Sequence, residues 1–266
     1  MQAVQSINPV APYVGGKRNL AKRLVEQINA TPHERYAEPF VGMGGVFFRR
    51  DQRPPAEFIN DASGDVSTLF RILQRHYVQF LDVLRFGITS RAEFERLLAT
   101  DPATLTDLER AARFLYIQRT SYGGKVEGRT FAVSKDRSAR FNLTTLEPML
   151  EDAHSRLSGV VIERLDFEAF IERYDSPRTL FFLDPPYWGV EDYYGKDLFK
   201  REDFERLNGC LRAIKGRFIL TINDLPETRK LFKGFKIEGV ELSYSLAPAS
   251  TRGEGRKEII VSSASI

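Results

Sequence analysis

The run Thr179-Leu180-Phe181-Phe182-Leu183 passes directly into Asp184-Pro185-Pro186-Tyr187, and this junction limits what the chain can build more than any other stretch. The first five residues read as a short buried strand. Two prolines then fix an extended backbone with no N–H to offer. Asp184 brings a carboxylate that accepts hydrogen bonds and cannot donate them, and Tyr187 a face for stacking. This set of groups fits a flat ring carrying an exocyclic amine. A plain strand ending in a Pro-Pro turn is the competing reading, and it gives no role to an aromatic placed directly after the prolines.

An amine on a purine is a poor nucleophile because its lone pair is delocalised into the ring. A carboxylate oxygen of Asp184 and a main-chain carbonyl near Pro185, accepting one N–H each, favour a tetrahedral nitrogen and stabilise the positive charge that grows on it during attack. No strong general base is needed. The electrophile expected is an activated methyl group, so the rate rests on proximity and in-line aim.

The chain has 266 residues, of which 42% are hydrophobic, enough for one large domain or a domain with an insertion. No apolar run has the length of a membrane span, and Met1-Gln2-Ala3-Val4-Gln5 lacks the charged start of a secretory signal, so the expected location is the cytoplasm. The single cysteine, Cys210, excludes an internal disulfide and reads as a small core residue. His33, His76 and His154 are scattered without metal-ligand spacing, so no metal is expected. The net charge of +3 is uneven: residues 110–140 hold eight Lys or Arg against Glu127 and Asp136, as a phosphate-binding surface would. A solvated helix face followed by a polar loop gives the same count.

Leu20, Leu24, Val25 and Ile28 recur at helical spacing, predicting a helix that begins near residue 17. Tyr36 to Phe40 reads as a buried strand entering the turn Val41-Gly42-Met43-Gly44-Gly45, with a helix expected from Val46, Phe47 and Phe48. A second strand, Glu57 to Asn60, ends at Asp61. From about 66 to 118 the pattern is helical, with a capping box from Thr106 to Glu109. After Val160 strands and helices alternate again, giving strands over 160–165, 179–183, 217–223, 237–246 and 258–262 and helices over 167–174, 203–214 and 226–232. The fold class expected is α/β, a doubly wound sheet interrupted by a mostly helical insertion.

Glycine turns at the carboxyl ends of strands are where open α/β sheets receive nucleotides. This turn lacks the third glycine of a dinucleotide fingerprint and is not followed by a phosphate-loop ending, so it is not shaped for a diphosphate. Asp61 is placed to accept from ribose hydroxyls, and Asp166 with Phe167 offers an acceptor and an apolar face to an adenine ring. S-adenosylmethionine, a nucleoside without phosphates, matches this set best.

Over nearly its whole length the chain resembles the Dam-type DNA adenine methylases. Tyr13-Val14-Gly15-Gly16-Lys17 resembles that family's amino-terminal cofactor motif, Glu38-Pro39-Phe40-Val41-Gly42-Met43-Gly44-Gly45 its glycine motif, Asn60-Asp61 its ribose motif and Asp184-Pro185-Pro186-Tyr187 its catalytic motif. The resemblance implies a Rossmann-like, mainly parallel seven-stranded sheet with its last strand antiparallel. It also implies a catalytic domain in two parts, residues 1–66 and 159–266, around a target-recognition insertion at 67–158. Cofactor contacts are expected from Tyr13, Lys17, Glu38, Pro39, Phe40, Gly42, Gly44, Asp61, Asp166, Phe167 and Asp184. The substrate implied is double-stranded DNA, with the target adenine flipped onto Tyr187 and its N6 amine methylated. Trp188 and the loop Glu191 to Gly195 are expected to close over it, and a monomer is expected.

Within the insertion, Gln118 to Gly124 resembles the family's approach to a DNA-reading hairpin and Gly128 to Phe131 its return. Where members that read GATC carry an apolar residue and an arginine, this chain has Lys125 and Glu127, an acceptor suited to a cytosine amine. DNA contacts are expected from Arg113, Arg119, Tyr122, Lys125, Arg129, Arg137 and Arg140, with Lys125 or Arg129 reading bases. Three other readings fit the same residues. Transfer to RNA or to the cytosine N4 amine presents the same acceptors with a similar ring, and a catalytically silent DNA-binding module would keep the basic segment alone.

Overall fold

The computed structural model describes residues 1–13, 15–133, 136, 138–191, 198–242 and 256–263. Among the described residues the strands are β1 (Gln2–Ala3), β2 (Arg35–Glu38), β3 (Gln52–Arg53), β4 (Ala56–Asn60), β5 (Val161–Glu163), β6 (Thr179–Leu183), β7 (Arg217–Asn223), β8 (Lys236–Leu242) and β9 (Arg256–Ser262). The α-helices are α1 (Ala21–Ala30), α2 (Gly64–Arg75), α3 (Tyr77–Leu84), α4 (Arg91–Ala99), α5 (Asp107–Thr120), α6 (Leu143–Leu157), α7 (Phe167–Tyr174), α8 (Asp203–Ala213) and α9 (Pro226–Leu231). Seven strands form one sheet in the order β5-β4-β2-β6-β7-β9-β8. The first five are mutually parallel, and β9, the last in sequence, runs antiparallel to both of its neighbours. The expectation of a doubly wound sheet with an antiparallel last strand is met.

The apolar run of β6 is continuous because both of its faces are covered. Leu180 and Phe182 join one buried cluster with Leu24, Val25 and Ile28 of α1 and the helices between β4 and β5. Phe181 and Leu183 point the other way, into a cluster with Phe170 and Ile171 of α7 and Phe204, Leu207 and Leu211 of α8. Strand order reverses between β2 and β6, from which the chain moves outward in opposite directions, so the carboxyl ends of these two strands flank a crevice. The acidic residue that follows β6 therefore faces the glycine turn that follows β2.

The link from β4 to β5 contains α2 to α6. The capping box is formed as expected: Thr106 Oγ1 accepts from Glu109 N–H while the Glu109 carboxylate accepts from Thr106 N–H. At the end of α6, Arg156 donates to both oxygens of buried Glu57 on β4 at 2.7 Å, and Arg50 donates to the same carboxylate at 2.7 Å. Arg50 also covers the Tyr36 ring at 3.7 Å and Arg156 the Phe47 ring at 4.2 Å. This buried cluster ties the helical segment to the sheet.

Two expected elements differ. The helix expected from Val46 is only a 3-10 turn over Phe47–Arg49. Phe47 and Phe48 are both fully buried, and the chain leaves the turn at Arg50, whose extended backbone and bond to Glu57 direct it into the pairing of β3 with β1. Helix α1 begins at Ala21 and not near residue 17, because Lys17 to Leu20 forms a turn in which the Lys17 carbonyl accepts from both Leu20 and Ala21. Among the described residues, no helix is long and apolar enough to cross a membrane.

Candidate active site

Asn60 closes the end of β4 onto its neighbours. Its Nδ2 donates to the carbonyls of Pro39 and Leu165, and its Oδ1 accepts from Leu165 N–H. One buried amide thus joins the segments after β2 and β5. These segments, with the end of β6 and residues from Asn8 to Tyr13 and from Gly15 to Arg18, wall a cavity of about 750 Å³.

One side of the cavity is rich in acceptors. Asp61 Oδ2 accepts from Gly42 N–H and Oδ1 from Ser63 N–H, both at 2.9 Å. Burial pushes its carboxyl up to about 6, against the opposing effect of those two donors. Glu38 is buried, and Tyr36 Oη donates to its Oε2 at 2.8 Å. Desolvation pushes Glu38 up to about 8, so near neutral pH it holds a proton. Gly42 has φ +49, and a Cβ there would stand 3.0 Å from the Tyr13 ring, so only glycine keeps this approach open. Gly44 serves the turn differently: a Cβ on it would meet Phe48 at 2.4 Å, and it does not line the cavity.

The opposite wall is aromatic. Phe40, Phe167 and Phe199 pack with ring centroids 5.5–5.8 Å apart, and Leu198 adjoins them. Asp166 caps α7 by accepting from Glu168 N–H, and the same oxygen accepts from Arg206. Leu198 and Phe199 were not singled out from the sequence. Their only signal there is an apolar pair in an otherwise charged stretch before α8.

Asp184 meets the cavity between these walls, with 19% of its side chain exposed. Its Oδ1 takes Lys17 Nζ at 2.7 Å and Thr221 Oγ1 at 2.9 Å. Burial raises its carboxyl above the usual range, while the Lys17 ammonium acts in the other direction. Lys17 Nζ also donates to Tyr187 Oη at 2.6 Å and to the Gly15 carbonyl at 3.1 Å. Tyr187 is buried with Lys17 Nζ 4.5 Å from its ring centroid, and neither it nor Pro185 lines the cavity, whereas Pro186 does.

The structure brings together ten of the eleven residues expected around the cofactor: Tyr13, Lys17, Glu38, Pro39, Phe40, Gly42, Asp61, Asp166, Phe167 and Asp184. These residues fit S-adenosylmethionine. There is a backbone that a ligand can approach at Gly42, a buried carboxylate acceptor at Asp61 and an apolar surface beside Phe40 and Phe167, the kinds of group a nucleoside without phosphates requires.

The basic residues of the helical segment separate into two groups. Arg113 is buried and donates to the Leu97 and Leu98 carbonyls, holding the end of α4. Arg129 is half-buried and donates to the Lys125 carbonyl and to Gln118. Arg119 lines the cavity and donates to the carbonyls of Val10 and Arg140. Tyr122, Lys125 and Arg140 are exposed, and Arg140 also lines the cavity. Arg137 lies outside the described residues, as does the loop from Asp192 to Gly195. Trp188 N–H donates to Asn223 Oδ1 and its carbonyl accepts from Asn223 Nδ2, and its ring packs on Phe204 with Arg201 4.0 Å above it. Burial pushes the Cys210 thiol up to about 11, which disfavours a nucleophilic thiolate. Among the described residues, no group of three or more His, Cys, Asp or Glu side chains has the arrangement to hold a metal ion.

The family model described as D12 class N6 adenine-specific DNA methyltransferase matches residues 13–246. A type II methyltransferase of Paramecium bursaria Chlorella virus NC1A is 22% identical, over 90% of this chain and 91% of its own length. A type II methyltransferase of Lactococcus lactis subsp. cremoris is 26% identical over 96% and 95%. A DNA N-6-adenine-methyltransferase of Escherichia phage P1 is 27% identical over 92% of this chain and 33% of its own length.

Proposed function

Because the chain belongs to the D12 class N6 adenine-specific DNA methyltransferases, enzymes that use S-adenosylmethionine, we propose that Asp184 aims the N6 amine of a flipped adenine in DNA for in-line methylation. The observation that supports this most is the place of Asp184: it enters the cavity from the end of β6, directly across the switch point from the Gly42 turn and Asp61. S-adenosylmethionine supplies the activated methyl group on a sulfonium. The protein's own groups supply aim and charge.

In the structure as it stands Thr221 and Lys17 both bind Oδ1, so Oδ2 is open to one N–H of the arriving amine. The Pro185 carbonyl is the second acceptor. Together they localise the nitrogen lone pair and stabilise the charge that develops on it. The base has to leave the duplex to reach this depth. The exposed Tyr122, Lys125 and Arg140 are assigned to DNA, Arg140 to the backbone beside the cavity. Arg113, Arg119 and Arg129 support these residues from within.

Long-read sequencing of DNA from cells expressing the chain tests this. Modified adenines in one short motif are expected with the intact protein and none with Asp184→Asn, whose amide presents a donor where an acceptor is needed. Modified cytosines in place of adenines would favour the N4 reading.

A further inference from the structure

Glu258 on β9 is 3% exposed, and its Oε2 is buried without a hydrogen-bond partner among the described residues. Lys17 Nζ stands 3.9 Å from that oxygen while bonded to Asp184. A buried carboxylate oxygen left unbonded is costly and rarely kept without a use. The ammonium between these two carboxylates is shared unequally: one has it at hydrogen-bonding distance and the other does not.

The amine that binds Asp184 arrives as a donor and becomes positively charged as it is methylated. An ammonium held on the same carboxylate competes for its lone pairs and repels that charge. We propose that Glu258 is a positioning residue that receives the Lys17 ammonium when the amine binds, a shift of about 1 Å that changes a 3.9 Å separation into a hydrogen bond. Lys17 then releases Asp184 Oδ1 and the Tyr187 hydroxyl together. Asp184, Glu258 and Lys17 carry one net negative charge between them, matched to the positive charge that forms on the nitrogen. This inference rests on the adenine-methylating reading and extends it to a residue outside the four motifs of the sequence.

The test compares Glu258→Gln with the wild type in single-turnover methyl transfer, using a duplex that contains the site found by sequencing and saturating S-adenosylmethionine. A tenfold loss of rate corresponds to about 1.4 kcal/mol, the scale of one lost charge contact, and a loss on the order of tenfold is expected with little change in KM for DNA. Among the described residues, the charged or titratable groups facing Asp184 are Lys17, Glu38, Tyr187 and Glu258. Removing Glu258 takes away a like charge, so the acidic limb of the rate should move to lower pH. An unchanged rate, or a lower rate with an unmoved limb, overturns the proposal. If the variant does not fold, a crystal structure of the wild type with sinefungin and the duplex decides. Lys17 Nζ bonded to Glu258 supports the transfer, and Lys17 still bonded to Asp184 overturns it. A wild type that methylates no DNA adenine would instead remove the reading on which this rests.

Discussion

Asp61 shows how a single side chain couples the cavity to pH. With its carboxyl pushed up to about 6 by burial, it is ionised at neutral pH and accepts from Gly42 and Ser63, with further lone pairs to offer a ribose. Below about 6 it takes a proton and loses acceptor capacity. Calorimetric affinity for S-adenosylmethionine should therefore fall as pH drops through that value, and Asp61→Asn should bind weakly with the pH dependence flattened. Glu38 acts on stability in the other direction. Its folded form favours the proton, so its contribution is complete below its ordinary 4.5 and is lost as pH rises through about 8. Glu38→Gln, locked neutral, should gain thermal stability relative to the wild type across that window. A constant difference in melting temperature would contradict this. The sequence marked both acids as cofactor residues, yet neither displaced pKa was legible, because each arises from desolvation by residues distant in the chain.

At the scale of elements, what was legible depended on how local the cause was. Strand β6, helix α7 and the capping box of α5 follow from neighbouring residues, and each appeared where the pattern placed it. The turn at Phe47 and the late start of α1 answer to burial and to Lys17, which no local pattern encodes. Leu198 and Phe199 were missed because their partners Phe40 and Phe167 come from two other strand ends. The glycine turn makes a prediction that separates folding from binding. Gly44→Ala places a Cβ 2.4 Å from the Phe48 ring at φ +71, and should destabilise by roughly 1–3 kcal/mol in denaturant titration. Gly42→Ala meets the side chain of Tyr13 at 3.0 Å and should lose cofactor affinity disproportionately. Equal stability losses without a difference in affinity would count against separate roles.

The sheet has the cavity at its switch point, and the helical segment between β4 and β5 brings Arg119 and Arg140 to the same cavity. The Glu57 cluster joins these parts, and Arg156, Arg50 and Glu57 carried no sequence signal beyond their charge. Glu57→Ala leaves two buried guanidinium groups without their carboxylate and should cost about 3–5 kcal/mol. An exposed-type loss below about 1 kcal/mol would show the cluster to be unimportant. The proposed methyl transfer depends on Asp184 presenting an acceptor to an adenine amine. Its most direct test is mass spectrometry of nucleosides from duplex DNA treated with the purified protein and S-adenosylmethionine, beside Asp184→Asn shown to bind both ligands. N6-methyladenine made by the wild type and abolished in the variant is the predicted result. Undiminished N6-methyladenine from the variant would contradict the account.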